Sequence, residues 1–172
     1  AWILTPQFHG GVDFDIGWMG SWPDPATFGK AQDRWKSEAQ DIAADFDKVV
    51  DCSGLHQMAT AVIVNAPDGP PGDGVVMFAQ CNLVEGQGPA AALPAHRELG
   101  AAMKAMGSPA SSWLFYPALG VRGAEYDYLS VIAFNNYTEM GAATELYVNG
   151  GGWEKAGAIL APVTRCDSPV VY

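Results

Sequence analysis

The chain has 172 residues, enough for one large domain or two small fused ones. Nearly half of the residues are apolar and 16% are charged, which excludes a disordered chain. The net charge of −10 disfavours nucleic acid and anionic membrane surfaces as partners. No apolar run approaches the ~20 residues of a membrane span. No signal peptide is visible, so we expect a cytoplasmic protein, although a start at Ala1 leaves secretion after N-terminal processing open.

The first part of the chain predicts two strands, a helix and a third strand. The pair Gly10–Gly11 supplies the positive φ that a turn between the first two strands needs. Asp24 and Pro25 mark the start of the helix, because aspartate is a favoured N-cap and proline is tolerated at the first helical position. The predicted strands span residues 1–7, 13–19 and 55–64.

A stretch rich in proline and glycine follows, and we place a linker at residues 67–73 between domains 1–66 and 74–172. The second domain predicts the order β-α-β-β-α-β. Its last helical region opens with a capping box at Asn136–Glu139. The predicted strands are 75–84, 112–116, 126–134 and 168–172, and the helices are 89–106, 138–149 and 153–160.

The two domains echo each other in sequence. The segment Trp2–Pro6 returns as Trp113–Pro117, and Cys52 corresponds to Cys166. A long-period echo predicts two copies of one supersecondary unit packed together. The first copy lacks the strand and helix that precede Trp113 in the second.

The missing strand would occupy the centre of a four-stranded split βαβ sheet, and its absence would leave backbone groups unpaired. Three solutions are open. An N-terminal strand–helix unit can belong to the native protein but not to this sequence, another chain can donate a strand, or the first copy can pair its third and fourth strands directly. We expect the first, with the second as its main rival, since the chain starts at Ala1 without Met.

The order β-α-β-β-α-β is that of the ferredoxin-like split βαβ fold. With its aromatic, weakly charged strands, the chain resembles the dimeric α+β-barrel superfamily, which includes antibiotic-biosynthesis-monooxygenase-like and NIPSNAP-like domains. The resemblance implies an α+β fold in which two ferredoxin-like repeats pack their antiparallel sheets face to face around a cavity. It also implies a homo-oligomer, or pairing of the incomplete first repeat with a missing N-terminal unit.

Strand periodicity predicts which side chains face that cavity, because alternate residues of a strand share a face. On the strand 126–134 we assign Leu129, Val131 and Ala133 to the helices and the alternate residues to the cavity. An aromatic wall with a few amides and hydroxyls suits a flat, apolar small molecule, unless the aromatics simply fill the space between the sheets. The predicted ligand-binding residues are Trp18, Gln80, Tyr126, Tyr128 and Ser130.

Two residues are candidates for catalysis. Asn82 lies on the first strand of the second repeat, where the haem-degrading members of the superfamily place an asparagine. Those enzymes also need a histidine on the second helix, and neither 26–43 nor 138–149 contains one. His96 lies on the apolar stripe of a helix, which is typical of a hydrogen-bonded core residue. Burial could instead move its pKa near neutrality and make it an acid–base group.

Cys52, Cys81 and Cys166 are an odd set without CxxC spacing, so we expect neither a metal nor another cofactor. Cys52 and Cys166 precede a final strand, where small buried thiols are common, so we favour free thiols over a disulfide. Two classes of function stay open. One is small-molecule binding, or cofactor-independent oxygenase-like chemistry, on an apolar aromatic ligand between the sheets. The other is a non-catalytic assembly module that forms dimers or larger arrays through its sheets. Because no complete catalytic constellation is visible, the sequence does not decide whether the protein is an enzyme.

Overall fold

The computed structural model describes residues 1–11, 14–52, 56–69 and 72–172. The chain divides into two compact units. The smaller comprises Ala1–Leu4 and Gly17–His56, and the larger comprises Thr5–Ile16 and Gln57–Tyr172. This division differs from the predicted domains 1–66 and 74–172, because the strand around residue 60 belongs to the larger unit. Among the described residues, no helix is long and apolar enough to span a bilayer.

The smaller unit combines a two-stranded antiparallel sheet with two helices. Its first helix begins as the sequence predicts. The side chain of Asp24 accepts a hydrogen bond from the backbone N–H of Thr27 at 2.7 Å, with Pro25 at the first helical position. That bond lowers the pKa of the Asp24 carboxyl. The elements are β1 (Trp2–Leu4), β2 (Gly17–Met19), α1 (Pro25–Glu38) and α2 (Gln40–Phe46).

The larger unit is built on a six-stranded sheet in which every strand pair is antiparallel. Its elements are β3 (Met58–Asn65), β4 (Val75–Leu83), α3 (Pro89–Ala105), β5 (Ser111–Leu119), β6 (Tyr128–Phe134), α4 (Tyr137–Val148), α5 (Gly152–Leu160), β7 (Thr164–Cys166) and β8 (Val170–Val171). The strand order is β3-β5-β6-β4-β7, and β8 also pairs with β4. The predicted α+β class with antiparallel sheets is therefore confirmed.

The helix α4 starts at the predicted cap with one difference. The side chain of Asn136 accepts a hydrogen bond from the backbone N–H of Glu139 at 2.9 Å, as a capping box requires. The carboxylate of Glu139 returns to the backbone N–H of Asn135 at 3.0 Å, one residue before the predicted donor.

The helices of the larger unit form one layer on one face of the sheet. Helix α3 packs against α5, and α5 packs against α4. Ala92 of α3 lies in a buried cluster with Cys81, Leu114 and Tyr128, so these three strand residues define the helix face. Directly paired residues of antiparallel strands share a face, and successive residues of a strand alternate. The opposite face, which we call the aromatic face, carries Phe78, Trp113, Phe115 and Tyr172.

The predicted tandem repeat is not confirmed. Trp2 lies in a three-residue strand of the small sheet, whereas Trp113 lies within the nine-residue strand β5. Cys52 is a free, exposed thiol, whereas Cys166 is bonded to Cys81. The strand β3, which closes the first copy, pairs with β5 of the second and so satisfies the backbone groups along that edge.

Candidate functional site

A disulfide joins Cys81 of β4 to Cys166 of β7. The two residues are direct partners in the strand register, with their Cα atoms 4.0 Å apart. The expectation of free thiols was therefore wrong for this pair and correct for Cys52. The bonded cysteines are 85 residues apart in the chain, and only the pairing of β4 with β7 brings them together.

A chain of hydrogen bonds runs beside the disulfide through the buried side of the sheet. The hydroxyl of Thr164 donates to the backbone carbonyl of Asn82 at 2.9 Å. The hydroxyl of Tyr128 donates to the Thr164 oxygen at 2.9 Å. The Nε2 atom of His96 lies 2.9 Å from the Tyr128 oxygen. His96, Tyr128 and Thr164 are all buried.

The donor-to-acceptor direction of these hydrogen bonds fixes the tautomer of His96. A carbonyl only accepts, so Thr164 must donate its one hydroxyl hydrogen to Asn82. Tyr128 then donates to Thr164, and its oxygen can only accept from His96. The neutral imidazole therefore carries its hydrogen on Nε2, which leaves the lone pair on Nδ1.

Burial also sets the protonation states of His96 and Tyr128. It lowers the pKa of His96 from 6.5 to about 4, because the charged imidazolium loses its hydration. It raises the pKa of Tyr128 from 10.0 to about 12, against a lowering contribution from the hydrogen bond to Thr164. Both side chains are neutral at neutral pH. The shift of His96 carries its pKa well below neutrality, and the residue has the environment of a hydrogen-bonded core histidine.

The sulfur atoms of Cys81 and Cys166 and a ring nitrogen of His96 lie within 4.8 Å of one another. Two sulfurs and an imidazole are a ligand set that thiophilic cations accept, provided that the sulfurs are thiolates. In the disulfide state they are not. The sequence predicted no metal site because these residues have no motif spacing.

A row of aromatic rings crosses the other face of the sheet. The ring centroids of Phe14 and Tyr172 are 6.3 Å apart, those of Tyr172 and Phe78 are 5.7 Å apart, and those of Phe78 and Phe115 are 6.2 Å apart. These separations are within the range of favourable aromatic pairs. Partial burial raises the pKa of the Tyr172 phenol, so this row is uncharged at neutral pH.

Within the larger unit, the predicted ligand-binding residues are not brought to one surface. Gln80 is exposed on the aromatic face. Tyr128 is opposite Cys81 and Ser130 is opposite Ala79, so both lie on the helix face. Tyr126 precedes β6 and is half-buried, and Trp18 lies exposed on β2 of the smaller unit.

The face assignment on β6 was therefore the reverse of the observed one. Leu129 and Val131 lie on the aromatic face, opposite Gln80 and Phe78. Tyr128 can occupy the helix face because His96 and Thr164 provide partners for its hydroxyl. The predicted catalytic residues are likewise separated. Asn82 is exposed on the aromatic face, and its backbone carbonyl accepts from Thr164, whereas His96 lies on α3 and contacts Tyr128 on the helix face.

Comparison with protein-family models, with curated proteins and with solved structures found no match to this chain.

Proposed function

We propose that the aromatic face of the larger unit binds a flat, largely apolar small molecule. The observation that carries the proposal is the row of rings from Phe14 to Phe115 on a sheet face whose central strands β4, β5 and β6 contribute no charged residue. Such a surface is notable in a chain of net charge −10. It suits an uncharged aromatic ligand, which can stack or pack edge-on against the rings.

The strand order supports the resemblance to the ferredoxin-like superfamily. The strands β4, β5, β6 and β7 are the first to fourth strands of the second half of the chain. Across the sheet they lie in the order β5-β6-β4-β7, which is second, third, first and fourth, and the helices lie on one face. That is the order of a split βαβ unit. In the superfamily the helix-free face lines the ligand cavity, which is the role we propose for the aromatic face.

Gln80 and Asn82 supply the polar groups of the proposed site. Both are exposed on β4, on the same face as Phe78. Their amides can donate to or accept from a carbonyl or hydroxyl of the ligand and so fix its orientation. Cofactor-independent oxygenase-like chemistry at this face would use the reactivity of the bound substrate, since His96 and Tyr128 lie on the other face.

The test is calorimetric titration of the full chain with a panel of planar aromatic compounds. We expect Phe78→Leu and Phe115→Leu to weaken the best ligand by about tenfold, the effect of losing one aromatic contact of about 1.4 kcal/mol. Phe8→Leu is the matched control, because Phe8 is exposed and, among the described residues, forms its β-bridge with Val171 of β8. Consumption of oxygen by the protein–ligand complex would indicate catalysis, whereas binding alone consumes none. Equal affinity in all three variants, or no binding by any compound, would contradict the proposal.

Assembly is the second candidate, and exposed apolar residues favour it. Ile63 of β3 is 49% exposed and stands at the edge of the aromatic face, opposite Trp113. Within the described residues β3 pairs only with β5, so its other edge is available to a further strand. Light scattering tests this second candidate. An assembly built through the sheet should dissociate in Ile63→Lys, whereas Lys104→Glu on α3 should leave its mass unchanged.

A further inference from the structure

We propose that Cys81, Cys166 and His96 form a redox-gated site for a thiophilic divalent cation such as Zn²⁺, closed by the disulfide and opened by its reduction. The site lies on the helix face and does not depend on the proposed ligand of the aromatic face. Its parts are the two sulfurs and one ring nitrogen that lie within 4.8 Å of one another.

The spacing fits tetrahedral coordination once the sulfur–sulfur bond is broken. With zinc–sulfur bonds of about 2.3 Å, two thiolates bound to a tetrahedral zinc ion lie roughly 3.8 Å apart. Two unbonded sulfurs on directly paired strand residues reach that separation by side-chain rotation, because Cys81 and Cys166 remain held by the register of β4 and β7. Two thiolates also neutralise the charge of Zn²⁺, which favours binding next to the buried side of the sheet.

The hydrogen-bond chain prepares His96 as the third ligand. Its Nε2–H is engaged by Tyr128, so a metal bound here would have to take the lone pair of Nδ1. Tyr128 and Thr164 then act as positioning residues that hold the ring in one tautomer and orientation. Cys166 is exposed, so the fourth position faces solvent and can take a water molecule. Three protein ligands with water in the fourth position is an arrangement that zinc sites in proteins use.

The gating step is thiol–disulfide exchange with a small thiol as reductant. Its thiolate attacks Sγ of Cys166, the exposed residue of the pair, the sulfur–sulfur bond breaks, and Cys81 leaves as a thiolate. A second thiol attacks the mixed disulfide, which releases Cys166 and the disulfide of the two small molecules. Two electrons thus pass to the protein, and binding of Zn²⁺ by the two thiols releases two protons. An oxidant of the disulfide class reverses the sequence and ejects the metal.

The experiment uses the full chain with Cys52→Ser, which removes the exposed free thiol. Zinc affinity is measured by competition with a chromophoric chelator, before and after anaerobic reduction. Cobalt is the spectroscopic probe, because thiolate ligands give charge-transfer absorption. We expect one equivalent to bind to the reduced chain and at least a hundredfold weaker binding to the oxidised chain. Adding Cys81→Ser or Cys166→Ser should abolish the charge-transfer band or halve it.

Tyr128→Phe separates a positioning role from a merely structural one. We expect the variant to retain both thiolate–cobalt bands and to bind zinc about tenfold more weakly. This is the usual effect of removing the hydrogen-bond partner of the ring nitrogen that does not bind the metal. His96→Gln should change the cobalt ligand-field bands and retain the charge-transfer absorption. If reduction unfolds the chain, zinc should restore its circular dichroism spectrum. Three results would overturn the site: no binding by the reduced chain, equal binding by the oxidised chain, or binding that survives loss of both cysteines.

Discussion

The Nε2 atom of His96 lies 2.9 Å from the hydroxyl oxygen of Tyr128, and this contact joins the middle of α3 to the start of β6. Both side chains are buried, so each satisfies the polar group of the other where water is excluded. The contact also determines which nitrogen of the imidazole carries the hydrogen. One buried pair thus links the packing of the helix layer to the chemistry of the neighbouring sulfurs.

Acid should destabilise the protein through His96. The folded state keeps this imidazole neutral down to a pKa of about 4, whereas the unfolded chain takes up a proton near 6.5. Its contribution to the free energy of unfolding is complete above the unfolded pKa, falls as the pH drops between these values, and is lost below the folded pKa. We expect a change of roughly 3 kcal/mol across this window.

The measurement is urea denaturation of the wild type and of His96→Gln at several pH values. Subtracting the two curves removes the contributions of other titrating groups. A difference between them that is independent of pH would contradict a neutral, buried His96.

Replacing Tyr128 by Phe should destabilise the fold by about 1–3 kcal/mol, because it leaves the His96 N–H and the Thr164 oxygen without their buried partner. Thermal denaturation followed by circular dichroism provides the value. Tyr147→Phe is the matched control, since Tyr147 is exposed on α4. Equal melting temperatures for the two variants would show that the hydrogen-bond chain contributes nothing to stability.

Loss of the disulfide should reduce the free energy of unfolding by about 2–5 kcal/mol. The bond between Cys81 and Cys166 closes a long loop, with a sequence separation of 85. The closed loop restricts the conformations of the unfolded chain, and this loss of entropy favours the folded state. The double variant Cys81→Ala and Cys166→Ala is compared with Cys52→Ala by urea denaturation. The control should stay within about 0.5 kcal/mol of the wild type, because Cys52 is exposed and unbonded. A double variant as stable as this control would disprove the prediction.

Removing the cap of α4 should cost about 1 kcal/mol, the usual effect of replacing an N-cap asparagine by alanine. In Asn136→Ala the backbone N–H of Glu139 loses its acceptor. Asn136→Asp keeps an acceptor oxygen in place and is expected to retain stability. Denaturation midpoints of the two variants test the assignment, which fails if alanine and aspartate behave alike.

The sequence was sufficient to predict where two helices begin, because capping depends on residues close together in the chain. Asp24 and Asn136 cap α1 and α4 because an N-cap needs only a side-chain oxygen within three residues of its donor. The sequence also predicted most strands of the larger unit, and their order with the helices led to the resemblance that implies an α+β class. These features depend on contacts between near neighbours in the chain, so the sequence is sufficient to find them.

The tertiary structure decided which face each strand presents and which distant residues meet. Periodicity shows that Tyr128 and Leu129 point in opposite directions, but a period of two is the same whichever face meets the helices. The pairing of β4 with β6 and β7 placed Tyr128 beside Cys81 and brought Cys166 to the same point. Register and the position of the helix layer are properties of the whole sheet. For that reason the disulfide, the buried hydrogen-bond chain and the aromatic row became visible only in the folded chain.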